Sequence, residues 1–247
     1  MNAWLHDTGI LALGMLVGAL NTLGGGGSSI LYPVLIFMGF SPHQAVGTAR
    51  PAFLTQGLFG AVAYARHGRI LWPFALWMGL AALAGAFIGA AVGLALPAGT
   101  FKKVIAVVVA LVSLSVLLPK PASEEGNQPH LSLSLNLLLF FLLGMYSGFI
   151  QTGLGFLILI VLAGLNRLDI HTSNGIKAVV IMLAGIPSLL MYAAGGYVLW
   201  RPSLILAAGT AAGAYLTGYF SVRWPVRTVK RIISAMAVLM AVRLWFW

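Results

Sequence analysis

Leu23-Gly24-Gly25-Gly26-Gly27-Ser28-Ser29-Ile30 lies inside an apolar run, residues 9–40, and its reading decides the fold. A glycine costs about 1 kcal/mol in a helix relative to alanine, so four in a row end any helix that enters them. The surrounding run is about 32 residues, too long for one upright spanning helix and too short for two comfortable ones. A second apolar run, residues 133–165, is interrupted in the same way around Gln151-Thr152-Gly153-Leu154-Gly155. Broken backbone at membrane depth is tolerated only where protein or a polar cavity satisfies its N–H and C=O groups.

That the surroundings are lipid follows from composition. The 247 residues are 60% hydrophobic and 7% charged, with a mean hydropathy of +1.00. Soluble domains carry about 25% charged residues, so this chain has too few for a wetted surface. Cysteine is absent, which excludes disulfides, thiolate metal sites and cysteine nucleophiles. The net charge of +10 comes from bases scattered singly or in pairs between apolar stretches. They form no basic helix face for nucleic acid and read as short loops obeying the positive-inside rule. Met1 to Thr8 lacks a Lys or Arg before the first apolar run, so a cleaved signal peptide is not expected.

Outward from the two breaks, residues 45–65, 72–96, 101–118, 174–194, 200–222 and 227–247 are each apolar enough for a spanning helix of about 20 residues. Lys120 to His130 is the one plainly polar stretch and reads as a linker between a first transmembrane repeat, 1–119, and a second, 131–247. Rare residues recur in register 128 positions apart. His43 falls on His171, Leu71-Trp72 on Leu199-Trp200, and Pro97 and Lys102 on Pro225 and Lys230. Gly25 and Gly27 fall on Gly153 and Gly155. Tandem halves are a common build of secondary transporters.

The expected fold is therefore an all-α polytopic membrane protein of two tandem repeats. Each has one glycine-broken helix or hairpin and three spanning helices. If each broken segment is one span, the repeats are parallel; if each is a hairpin, they are inverted. In the four-span arrangement one side collects Lys102, Lys103, Arg167, Arg223, Arg227, Lys230 and Arg231, seven bases against five. In the hairpin arrangement one side collects Arg66, Arg69, Lys120, Arg167, Arg223, Arg227, Lys230 and Arg231, eight against four. Loop charge thus leans toward inverted repeats, and both arrangements put the N- and C-termini outside an inner membrane.

The chemistry concentrates at the breaks. The run Gly25, Gly26, Gly27, Ser28, Ser29 exposes successive N–H groups at the start of a helix, a site for an anion without any charged side chain. Gln151, Thr152 and Gly153 supply the matching donors in the second half. Arg50 and Lys177 lie near helix starts inside long apolar sequence, where a charge should face a polar cavity or snorkel to the interface. Thr48 and Asn174 lie beside them as further donors. Asp7, Glu124, Glu125 and Asp169 read as terminus, linker and loop, so no carboxylate is expected within a span and the interior favours negative substrates. Gly85/Gly89/Gly93 and Gly209/Gly213 read as close helix contacts. His43 and His171 are expected in loops, as interfacial residues beside a helix cap or as titrating groups. Nothing in the chain forms a catalytic constellation, and Gly24–Gly27 is not followed by the GK[ST] of a phosphate loop. No cofactor or metal is expected.

With those residues in view, the chain resembles the sulfite exporter TauE/SafE family. The resemblance rests on the glycine run, Pro33, Gly39 and Ala45-Val46-Gly47-Thr48-Ala49, with Gly153-Leu154-Gly155, Lys177, Gly68 and Gly196 as counterparts. It implies transport of sulfur-containing anions such as sulfite or sulfoacetate, or of related organic anions, a non-sulfur organic anion being the alternative. Arg50 departs from the apolar residue the family commonly has there; it either tunes the site toward a doubly charged substrate or anchors at the interface. The expected partners are a small anion, the bilayer, a coupling proton or ion, and a second copy through the small-residue faces. The competing classes are a passive channel, a membrane scaffold and, last, an enzyme.

Overall fold

A computed structural model describes residues 3–23, 27–115, 128–220 and 226–246. Among them the regular elements are helices: α1 (Ala3–Leu23), α2 (Ser28–Phe37), α3 (Pro42–Arg66), α4 (Phe74–Ala95), α5 (Ala98–Ser115), α6 (Leu133–Phe149), α7 (Leu154–Leu159), α8 (Ile170–Ala194), α9 (Trp200–Phe220) and α10 (Val226–Phe246). A π-helical stretch, Ile160–Leu165, continues α7. Helices α3, α4, α5, α8, α9 and α10 occupy the six stretches expected to span. Phe74–Ala95 and Ile170–Ala194 are each long and apolar enough to cross a membrane by themselves. Large apolar side chains face outward along the helices, with Phe87 56%, Leu204 63% and Leu239 71% exposed. Such surfaces belong against lipid tails, since an aqueous protein rarely exposes contiguous apolar patches this extensive.

Two positions differ from the sequence reading. Asp7 lies within α1 rather than in a free terminus, and it pairs with Arg201 at the start of α9. His43 and His171 lie in the first turns of α3 and α8 rather than in loops. Gly25, Gly26, Lys120, Glu124, Glu125 and Arg223 fall outside the described residues.

The caps explain the helix starts. Ser41 and Gln44 form a reciprocal capping box, with Gln44 N–H donating to Ser41 Oγ and Ser41 N–H to Gln44 Oε1. Pro42 follows at the first helical position, where its missing N–H costs nothing. The equivalent start of α8 uses Asp169, whose carboxylate accepts from the N–H groups of Thr172 (3.0 Å) and His171 (2.9 Å). The Thr172 N–H, then that of His171 with its nearby charge, holds Asp169 below the usual carboxylate range. The cap's contribution is therefore full above the ordinary Asp value of 3.8 and lost as pH falls through the lowered folded value. Asp169→Ala should cost about 1 kcal/mol at neutral pH. Melting curves of both proteins should converge in acid; a gap that persists unchanged there would refute the cap.

The ends of α3 and α8 are also alike. Gly68 and Gly196 adopt φ of +63° and +73°, left-handed conformations that glycine takes without steric penalty. Their N–H groups return to Ala65 and Ala193, closing each helix three residues back.

The chain divides into two compact units, and each draws helices from both sequence halves. The first comprises Met1–Ala52, Ala95–Leu118 and Ala193–Trp247; the second comprises Phe53–Leu94 and Pro119–Tyr192. In the first, α1 packs on α9 through small residues. A Cβ on Gly14 would lie 3.1 Å from Gly209 Cα, and one on Gly213 would strike the Met15 carbonyl. His6 at the start of α1 stacks on Phe40 just past α2, with ring centroids 5.7 Å apart. The first broken segment thus ends where it began, as a hairpin.

In the second unit α4 packs on α6 by the same device. Gly85 and Gly89 face the Phe141 and Met145 carbonyls, while Gly144 and Gly148 face Ala82 and Ala86. The later part of α3 packs antiparallel on α8, with Gly57 against Met182 and Gly60 against Ala178. Asn136 and Asn166, both wholly buried, form a reciprocal amide pair, Asn166 Nδ2 to Asn136 Oδ1 being 2.7 Å. Leu131 N–H also donates to Asn166 Oδ1. The start of α6 is thereby joined to the end of the π-helical stretch, so the second broken segment is a hairpin too.

Candidate functional site

Within the first unit, the glycine break delivers the chain to α2 through Gly27. A Cβ there would come within 2.6 Å of the Val17 carbonyl, so the close approach of the hairpin arms needs glycine. Ser28 and Ser29 follow, 5% and 1% exposed. The Ser29 hydroxyl is buried with no hydrogen-bond partner among the described residues, although a helical serine ordinarily bonds back to its own backbone.

Thr48 and Arg50 lie on α3 and are wholly buried. The Thr48 hydroxyl oxygen accepts from Leu199 N–H at 3.2 Å, and its carbonyl accepts from Ser203 Oγ at 2.8 Å. Thr48 therefore ties α3 to the start of α9. Arg50 is the largest of the fully buried side chains. Its burial removes the interfacial-anchor reading, because a snorkelling guanidinium keeps its head in water. His43, also buried, is stacked on Phe101 and Tyr197 with centroids 4.8 and 5.0 Å away. His171 is exposed, so the two histidines do not share an environment.

Within the second unit, the break is a tight turn. Ile150 and Gln151 donate back to the Tyr146 carbonyl, ending α6. Gln151 and Gly153 both take φ of +66°. Glycine does so freely, whereas a residue with a Cβ pays roughly 1–2 kcal/mol. The Tyr146 hydroxyl donates to the Thr152 carbonyl and pins the turn. Gln151 is 5% exposed and Thr152 is wholly buried. Thr152 Oγ1 has no hydrogen-bond partner among the described residues.

Lys177 on α8 reaches the start of α7, just after this turn. Its Cδ lies 3.6 Å from where a Cβ on Gly155 would be. Its Nζ donates to Asn174 Oδ1, one turn earlier, and Asn174 Nδ2 donates to the Ile170 carbonyl at 2.8 Å. Gly155, Asn174 and Lys177 thus meet in one unit, with Gln151, Thr152 and Gly153 in the turn just before. Ser28, Ser29, Thr48 and Arg50 belong to the other.

Sequence reading missed Tyr146, the Asn136–Asn166 pair and the caps. The capping box was legible as Ser-x-x-Gln before an apolar run. The tyrosine and asparagine roles carry no periodic signal, because they depend on contacts between helices. Among the described residues no group of three His, Asp or Glu could hold a metal ion.

Comparison with known proteins identifies a family and relatives of transporter type. The family described as "Sulfite exporter TauE/SafE" matches residues 10–244. A probable membrane transporter protein of Xylella fastidiosa (strain 9a5c) is 27% identical over 244 residues, covering 94% of each chain. One from Haemophilus influenzae is 23% identical, covering 94% of this chain and 90% of its own. The probable membrane transporter protein YdhB of Bacillus subtilis is 27% identical, covering 91% and 94%. No solved structure matches. The relatives are transporters by name, not enzymes.

Proposed function

The chain belongs to the sulfite exporter TauE/SafE family of membrane transporters, and from that premise we propose a secondary transporter that moves a small sulfur-containing anion across the inner membrane by alternating access. Sulfite and organosulfonates such as sulfoacetate are the substrate class. The observation that carries the site is the second-unit turn, where Lys177 lies along Gly155 and the buried Thr152 hydroxyl has no hydrogen-bond partner among the described residues. A buried polar atom in that state is costly unless something else occupies it. In this reading Gln151, Thr152, Gly153, Asn174 and Lys177 contact the anion in one unit. Gly25, Gly26, Gly27, Ser28, Ser29, Thr48 and Arg50 serve the path in the other.

The hairpins support inverted halves. Each hairpin returns the chain to the face it entered from, and three crossing helices follow it. The second half then starts from the opposite face, and both termini end on one side. Loop charge favours that side being outside. The register of the ends of α3 and α8, 42–66 and 170–194, supports the repeat itself.

Proteoliposomes preloaded with unlabelled sulfite should transiently accumulate labelled sulfite by counterflow. Equilibration without an overshoot would make the protein a passive channel. Failure of sulfite and of every sulfonate to raise the melting temperature or be carried would remove the substrate class.

A further inference from the structure

We propose that three buried serines on three helices of the first unit, Ser29, Ser113 and Ser234, form a station for the three-oxygen head of a sulfite or sulfonate; this rests on the transporter reading above. Helices α2, α5 and α10 pack on one another within that unit, and two contacts fix their register. Lys103 Nζ, at the start of α5, sits 5.6 Å from the centre of the Trp245 ring at the end of α10, so these helices run antiparallel. Arg243 Cζ lies 5.4 Å from the centre of the Phe37 ring at the end of α2, so α2 and α10 run parallel. At a rise of about 1.5 Å per residue, Ser113 is about 15 Å along α5 from its contact, and Ser234 about 14–16 Å back along α10 from its two. Ser29 is about 12 Å back along α2. The serines therefore lie within about one turn of a common level.

All three continue buried faces. Ile105, Val109 and Val112 lead to Ser113, and Leu244, Ala241 and Ala237 lead to Ser234. Ser29 and Ser113 are each 1% exposed, and Ser234 is 3%. The hydroxyls of Ser29 and Ser113 have no hydrogen-bond partner among the described residues. A helical serine in apolar surroundings ordinarily returns its proton to its own backbone, as Ser188 does to the Ala184 carbonyl at 3.0 Å. Two unpaired buried hydroxyls at one level are costly unless a ligand takes them. Trp245, Lys103 and Arg243 suit the interface, and the hydrocarbon core is about 30 Å thick. The serine level thus falls near the midplane, where transporter sites lie.

The donors suit an oxyanion. Each hydroxyl has one O–H to give. Ser29 stands in the first turn of α2, whose unpaired N–H groups and positive end favour negative charge. A sulfite or sulfonate head presents three oxygens, and a carboxylate presents two. Three hydroxyls approaching from three helices match the first and leave one donor unmet by the second. A site built to hydrogen-bond a group rejects the analogue that lacks it.

The test compares sulfoacetate with malonate, which carry the same charge at mildly alkaline pH and differ in one head, sulfonate against carboxylate. Affinities are measured by calorimetry on the purified full-length protein in detergent. We expect sulfoacetate to bind at least tenfold more tightly. Ser113→Ala and Ser234→Ala should each weaken it about threefold to tenfold, as one neutral hydrogen bond is worth, and narrow its margin over malonate. The melting temperature of anion-free Ser113→Ala should be unchanged or raised. Ser188→Ala, which removes a buried hydroxyl bonded to its own helix, should leave both affinities unchanged. Parental sulfoacetate affinity in both Ser113→Ala and Ser234→Ala, or an equal loss for both anions, overturns the three-hydroxyl station and leaves the transporter reading standing. Malonate binding the parent as tightly as sulfoacetate does the same. If neither sulfoacetate nor sulfite binds the parent, the substrate class and this inference fall together.

Discussion

Gly89→Ala is expected to unseat α4 from α6 and to lower the melting temperature by on the order of 10 °C. The added Cβ would strike the carbonyl of Met145, which is backbone and cannot rotate aside as a flexible side chain can. Inserting even one carbon into a closed contact typically costs about 1–3 kcal/mol, more when backbone must move. For a chain of this size each kcal/mol corresponds to about 2–4 °C. Lipid makes the effect harder to absorb. Tails are as apolar as leucine, so helices associate through close packing rather than through a hydrophobic drive. Gly148 meets the Ala86 carbonyl across the same contact, so the helices have no slack on either side. Gly99 is the control. It lies at the start of α5 with open space where its Cβ would be, so Gly99→Ala should leave stability unchanged or slightly raised. Equal melting of Gly89→Ala and Gly99→Ala by circular dichroism in detergent would mean that α4 and α6 do not touch as described.

Arg50→Met should separate function from stability. Arg50 is wholly buried on α3, and a buried charge is poor at stabilising a fold. Replacing a complete buried ion pair with apolar residues of similar volume is often neutral or stabilising by about 1–4 kcal/mol, whereas removing one partner alone is destabilising. If the guanidinium is retained for the anion's path, Arg50→Met should still fold and should lose transport by at least about tenfold. A hydrogen bond to a charged group is worth about 1.5–3 kcal/mol, which corresponds to roughly 10- to 150-fold. Arg50→Lys should fall between, since it keeps the charge but loses the planar fork that matches sulfonate and carboxylate oxygens. Transport at parental rates in Arg50→Met would remove Arg50 from the path. A fall in melting temperature alongside transport would make the residue structural.

Both substitutions bear on how much the residues announce by themselves. The small-residue stripe on α4 was visible as Gly85, Gly89 and Gly93 at every fourth position, a spacing that puts them on one helix face. Its partner was not. α6 answers with Gly144 and Gly148, but Gly144-Met145-Tyr146-Ser147-Gly148 lies in a run rich in leucine and phenylalanine, where two glycines have many readings. Arg50 and Lys177 were legible because charge is rare in this chain. Where each reaches was not, because a long side chain can leave its helix toward lipid, water or a neighbour. Packing resolved it, by burying Arg50 wholly and laying Lys177 along Gly155.

Sequence by itself determined three things about this protein. Composition made lipid its solvent, glycine energetics ended α1 at Leu23, and apolar length placed the remaining helices within a few residues. These are local properties, written in propensity and hydropathy. What each broken segment does was decided only in three dimensions. A bent single span and a hairpin have the same local sequence and differ in which ends meet. Stacking of His6 on Phe40 and pairing of Asn136 with Asn166 bring those ends together. Those contacts join residues about 30 or more positions apart, a separation that no helical period can encode.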